Sequence, residues 1–122
     1  MSEKMTIKCK DCDLAVTNEL TELRNGRKLD NSNEGGTNVI EKGYYFISDK
    51  KYSREPKGSI IVSNNDLINS KIHPDFSIGC CGLDGKGMNI ACKNGHEVGR
   101  QYSECWMPHY TVFEFGLINF DE

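Results

Sequence analysis

The chain has 122 residues, 37% of them apolar, with a mean hydropathy of −0.58 and a formal charge of −3. That length suits one domain over residues 1–122 with a modest core, and the acidic balance supplies no positive field for a phosphate backbone, so nucleic acid is not an expected partner. No apolar run approaches the ~18 residues that cross a bilayer, and none follows the opening Met1-Ser2-Glu3-Lys4, so a cytoplasmic protein with no membrane association is expected.

Cytosolic thiols are kept reduced, so the six cysteines read as metal ligands or reactive thiols before disulfides. Along the chain, Thr6 to Cys9 is a short strand that delivers Cys9 into a turn closed by Cys12. The apolar residues Leu14, Val16, Leu20 and Leu23 fit neither the helix nor the strand period cleanly, and a short helix is expected over Asn18 to Leu23. Arg24 to Asn38 is polar and rich in Gly and Asn, a loop. Tyr44-Tyr45-Phe46-Ile47 and Ser59-Ile60-Ile61-Val62-Ser63 are strand signals, expected to pair antiparallel across the Asp49 to Gly58 loop. Asn64 or Asn65 is placed to cap a helical turn through Ile68.

From Gly79 to His109 the sequence holds four of the cysteines, two of the three histidines and the lone Trp106. Glycines at 79, 82, 85, 87, 95 and 99 suit tight turns. Asn94-Gly95, between Asn89-Ile90-Ala91-Cys92 and His96-Glu97-Val98, predicts a hairpin. Tyr110 to Phe115 is strand-like, with Leu117, Ile118 and Phe120 continuing the apolar tail. The expected fold is mostly β, with a small α+β variant open, built from short antiparallel sheets and hairpins.

A structural zinc takes four Cys or His donors in a tetrahedron. Cys9-x2-Cys12 supplies one pair, and the favoured partners are Cys81, whose neighbour Gly82 admits backbone amides, and Cys92, two residues before the Asn-Gly turn. Cys80 competes with Cys81, since adjacent residues of a strand face opposite ways. A local rival uses Cys92-x3-His96 and Cys105-x3-His109, and leaves the Cys9–Cys12 turn without a role. A third arrangement has two sites drawing on all six cysteines. His96 after a turn, His109 after Pro108 and His73 before Pro74 also read as ordinary structural or exposed histidines. Such a metal matters energetically: structural zinc contributes on the order of 10–16 kcal/mol in small peptides, against about 5–15 kcal/mol of stability for a whole domain.

The run Cys80-Cys81-Gly82-Leu83-Asp84-Gly85, then Asn89, Cys92, Asn94 to Gly99, then Ser103 to His109, together with Cys9 and Cys12, resembles a group of small uncharacterised bacterial proteins. These carry an N-terminal CxxC and the same cysteine-glycine block. The likeness adds no activity. In architecture the chain is also similar to the zinc ribbon and to the β-tent zinc domains, which include Yippee-like proteins, the cereblon ligand-binding domain and the zinc-bearing methionine sulfoxide reductases. That likeness implies two hairpins folded onto a zinc held by CxxC pairs. Here Asn94 or Gly95 stands where the second pair would have its other cysteine, with Cys81 as the substitute.

Two functions follow. One is a binding or interaction module for a protein or small molecule, its four-cysteine zinc purely structural. No HExxH, no deaminase pattern and no phosphate-binding loop is present. The other is a thiol-dependent redox enzyme of the methionine sulfoxide reductase type, with Cys105 as nucleophile and His109 as its activator.

Overall fold

The apolar run Ile60-Ile61-Val62 has no polar face to present to water, so it needs cover on both sides. It forms strand β4, buried throughout, near the middle of a sheet. The computed structural model describes residues 4–23, 39–48, 57–73, 83, 87–103 and 109–121. The other strands are β1 (Lys4–Cys9), β2 (Leu20–Glu22), β3 (Tyr44–Ile47), β5 (Ser70–Ile72), β6 (Ile90–Cys92), β7 (Glu97–Tyr102), β8 (Tyr110–Phe113) and β9 (Ile118–Asp121). Among the described residues these nine strands belong to one sheet in the order β5-β6-β7-β8-β4-β3-β2-β1-β9. Every pairing is antiparallel except β2 with β3. The mostly β expectation holds, as one mixed curled sheet; among the described residues no helix is long and apolar enough to cross a membrane.

Side-chain alternation divides the core in two. Tyr45 of β3, Ile60 and Val62 of β4, Val98 of β7 and Phe113 of β8 point to one face, where they join Ile7, Val16, Leu20 and Ile118. Phe46, Ile61, Tyr110 and Val112 point to the other, with Val39 and Ile40. The expected hairpin between β3 and β4 forms in the register Tyr45↔Val62.

The expected helix over Asn18 to Leu23 does not form. Leu20–Glu22 is a strand, wedged between β1 and β3. The Thr21 N–H donates to the Gly43 carbonyl at 2.9 Å and the Leu23 N–H to the Tyr45 carbonyl at 2.7 Å. Those long-range bonds satisfy the backbone that a short, weakly periodic helix would have satisfied locally. The turn after β4 also differs from expectation. It is a 3-10 turn over Asn64–Asp66, capped by the Ser63 hydroxyl accepting from the Asn65 N–H.

The curl brings distant strands together. β1 and β6 stand six places apart in the sheet, about 29 Å if it lay flat. Instead, the segment after the Cys9–Cys12 turn meets the segment after β4. Thr17 bridges Leu67, the Ile68 N–H donates to the Val16 carbonyl at 2.9 Å, and the Asn18 N–H donates to the Asp66 carbonyl at 3.0 Å. The buried Asp66 carboxylate accepts from the Gly43 N–H at 2.8 Å, tying that crossing to β3. At the far end of β6, the buried Asn89 side chain substitutes for a missing rung. Its amide donates to the Gln101 carbonyl at 3.2 Å, and its oxygen accepts from the Gln101 N–H at 2.7 Å.

Gly99, expected in a turn, lies inside β7, where its backbone passes against Val112. A Cβ there would collide with the Val112 carbonyl oxygen and press on the Phe113 ring. Gly99→Ala is therefore expected to cost about 1–3 kcal/mol, the usual range for overpacking. Gly116→Ala, whose Cβ would meet open space, should change stability little. Paired denaturant melts check this, and equal midpoints for the two variants would refute it.

Candidate metal centre

Cys9 is the last residue of β1 and is fully buried. The chain turns there because the Asp13 N–H donates to the Cys9 carbonyl at 2.8 Å and the Cys9 N–H to the Leu14 carbonyl at 2.8 Å. Asp13 closes the turn at φ 59°, a left-handed conformation that a short polar side chain tolerates. Within the turn the N–H groups of Asp11 and Cys12 aim at the Cys9 sulfur, and that of Leu14 at the Cys12 sulfur.

Cys92 ends β6 at the mouth of the predicted hairpin. Its carbonyl accepts from the Gly95 N–H at 2.8 Å, and its own N–H donates to the His96 carbonyl at 2.8 Å. Asn94 keeps a negative φ while Gly95 takes φ 92°. The connection is thus a type I turn followed by a left-handed glycine, a three-residue loop in place of a two-residue one. The extra residue makes His96 the cross-strand partner of Cys92, and opposed residues share a face. Sulfur and imidazole meet as a result, with Cys92 Sγ 3.4 Å from His96 Nδ1.

The two loops converge. Cys12 Sγ lies 3.7 Å from Cys92 Sγ, eighty positions away in sequence. This is far beyond a disulfide bond of about 2.05 Å, and Cys9, Cys12 and Cys92 are all free thiols. The donor atoms of Cys9, Cys12, Cys92 and His96 all lie within 4.8 Å of one another, a group of three cysteines and one histidine that could hold a metal ion. Asn69 couples the two loops. Its side-chain amide donates to the Ala15 carbonyl at 3.0 Å, its carbonyl accepts from the Lys93 N–H at 2.7 Å, and its own backbone is left-handed at φ 48°.

The electrostatics of the group are uneven. Burial pushes the Cys9 thiol up to about 11, against the pull of the amides that face it. The half-buried Cys12 is held down at about 6, first by a hydrogen bond from the Asn94 side chain, then by the Leu14 amide, with His96 and Cys92 adding to it. His96 is raised above the ordinary imidazole range by its contacts with Cys12 and Cys92. The open side of the group thus favours a Cys12 thiolate beside a protonated His96.

Of the expected ligands, the structure brings Cys9, Cys12 and Cys92 together, and the fourth donor in the group is His96. Cys81 lies outside the described residues, as do Cys80, Cys105 and Trp106. Cys92-x3-His96 was visible in the sequence as half of the local rival site. Of the other half, Cys105 lies outside the described residues and His109 is away from the group. His109 precedes β8 and its carbonyl accepts from the Val39 N–H. Because Tyr110 pairs with Tyr102, His109 stands at the opposite end of β7 from His96, about 20 Å away by strand rise. His73, just past β5, donates its N–H to the Asn89 carbonyl at 2.8 Å.

Asn94→Ala removes the hydrogen bond to Cys12 Sγ. It should weaken binding of a thiophilic probe such as Cd²⁺ about tenfold, the lower end for outer partners of metal ligands, with the number of ions per chain unchanged. Competition titration against a chelator of known affinity reads this, and an unaltered affinity would count against the contact. Asn69→Ala, which loses both hydrogen bonding and tolerance of a left-handed backbone, should lower stability by about 1–2 kcal/mol, while Asn69→Gly should recover part of it. Denaturant melts of the two variants decide the point.

No family model, curated protein or solved structure matches the chain, so the role of the group rests on its own donors.

Proposed function

We propose that Cys9, Cys12, Cys92 and His96 hold a structural zinc ion, and that the folded chain is a binding or interaction module. One observation carries this: two edges of the donor group have the lengths of a zinc tetrahedron. With Zn–S near 2.3 Å and Zn–N near 2.0–2.1 Å, those edges come to about 3.8 Å between sulfurs and about 3.5 Å between sulfur and nitrogen. The observed separations are 3.7 Å and 3.4 Å. Soft thiolates with one imidazole favour Zn²⁺ over the hard cations Mg²⁺ and Ca²⁺.

Four protein donors close the coordination sphere, which leaves no position for a water or a substrate. The ion then acts on the fold. It clamps the turn after β1 to the hairpin between β6 and β7, two places the sheet order keeps far apart. The module's surface, and the protein or small molecule it recognises, depend on that clamp.

Elemental analysis of purified protein should find one zinc per chain. Cys9→Ser and Cys92→Ser should lose it and unfold or become insensitive to chelators. Cys105→Ser and His109→Ala should keep it. X-ray absorption at the zinc edge should report three sulfurs and one nitrogen. Four sulfurs would put Cys81 or another cysteine in place of His96, and a bound water would overturn the closed site. Chelation of the native chain should lower its melting temperature sharply; an unchanged melt would refute a structural role.

A further inference from the structure

We infer that the metal centre is also an oxidation site, at which hydrogen peroxide couples Cys12 to Cys92 and expels the ion. This rests on the zinc reading above and deepens it. The group is asymmetric in access. Cys9 and Cys92 are fully buried, whereas the Cys12 and His96 side is half-buried and open to solvent. A small oxidant therefore meets the Cys12 sulfur first. The buried Cys92 sulfur waits 3.7 Å from it, placed to resolve the product.

The chemistry balances within the pair. The Cys12 thiolate attacks one peroxide oxygen and breaks the O–O bond, giving a sulfenic acid and hydroxide. The Cys92 sulfur then attacks the Cys12 sulfur and displaces a second hydroxide. Two sulfurs give up two electrons, one peroxide takes them, and two protons from solvent convert the hydroxides to water. Cys9 and His96 alone remain as donors, too few to retain a structural zinc.

The choice of partner has a consequence for the fold. Coupling Cys9 to Cys12 would join residues of one turn and leave the two loops untied. Coupling Cys12 to Cys92 spans eighty positions and holds the same two loops that the ion held. Oxidation thus exchanges a metal clamp for a covalent one, and closing so long a loop constrains the unfolded chain strongly. A reductant and zinc restore the starting state.

The test treats zinc-loaded protein with a single equivalent of hydrogen peroxide. Zinc release is read with a metallochromic dye and sulfur connectivity by peptide mapping without reductant. The expected result is release of the bound zinc, a Cys12–Cys92 cross-linked peptide, reversal by a thiol reductant, and a melting temperature above that of the chelator-stripped chain. A Cys9–Cys12 link, a link to Cys80, Cys81 or Cys105, or further oxidation of Cys12 without a link would overturn the inference. Retained zinc would overturn it too. Protein that holds no zinc before peroxide sinks the structural-zinc reading instead, and the peptide map of that same chain still decides the cross-link.

Discussion

The contact between the Cys9–Cys12 turn and the Cys92–His96 hairpin is the constraint on which the rest of this structure depends. A nine-stranded sheet left flat would hold these loops about 29 Å apart, yet two of their sulfurs are 3.7 Å apart. The sheet must curl until they meet. The bridge of Thr17 to Leu67 and the paired bonds of Asn69 are the backbone expression of that closure. The apolar cluster on the concave face is its packing expression, since Cys9 and Cys92 are themselves members of the cluster.

This coupling explains how a lean chain can support so long a sheet. The larger apolar cluster is built from strands that contribute one or two apolar residues each, the polar crossing between the two ends is stitched by Asp66 and Asn69, and Asn89 completes the β6–β7 ladder. Buried polar groups of this kind are tolerable only when they are satisfied. Asp66 and Asn89 each accept from a backbone N–H, so they act as parts of the ladder.

The donor arrangement bears on the metal-binding reading of the sequence, while Cys105, the nucleophile of the redox alternative, lies outside the described residues. The group of three thiols and one imidazole could hold a metal ion, and His109 stands at the far end of β7 from it. Within the group the half-buried Cys12 lies on the solvent side while the buried Cys92 sulfur is 3.7 Å from it, the geometry behind the proposed oxidation.

Local physics was enough to read much of this from the residues alone. Tyr44–Ile47, Ile60–Val62 and Tyr110–Phe113 are strands because β-branched and aromatic side chains suit an extended, buried backbone. Cys9 and Cys12 share a turn because two residues separate them, and the Asn-Gly pair places a hairpin beside Cys92. The remainder was decided by contacts distant in sequence. Leu20–Glu22 is a strand only because β1 and β3 offer it partners, and Gly99 is a strand residue only because β8 runs so close. His96 joins the cysteines because one extra loop residue sets it opposite Cys92, and that loop faces Cys9 and Cys12 because the sheet curls. Spacing along a chain records which donors are near neighbours in one loop; only the closed sheet determines which loops share a centre.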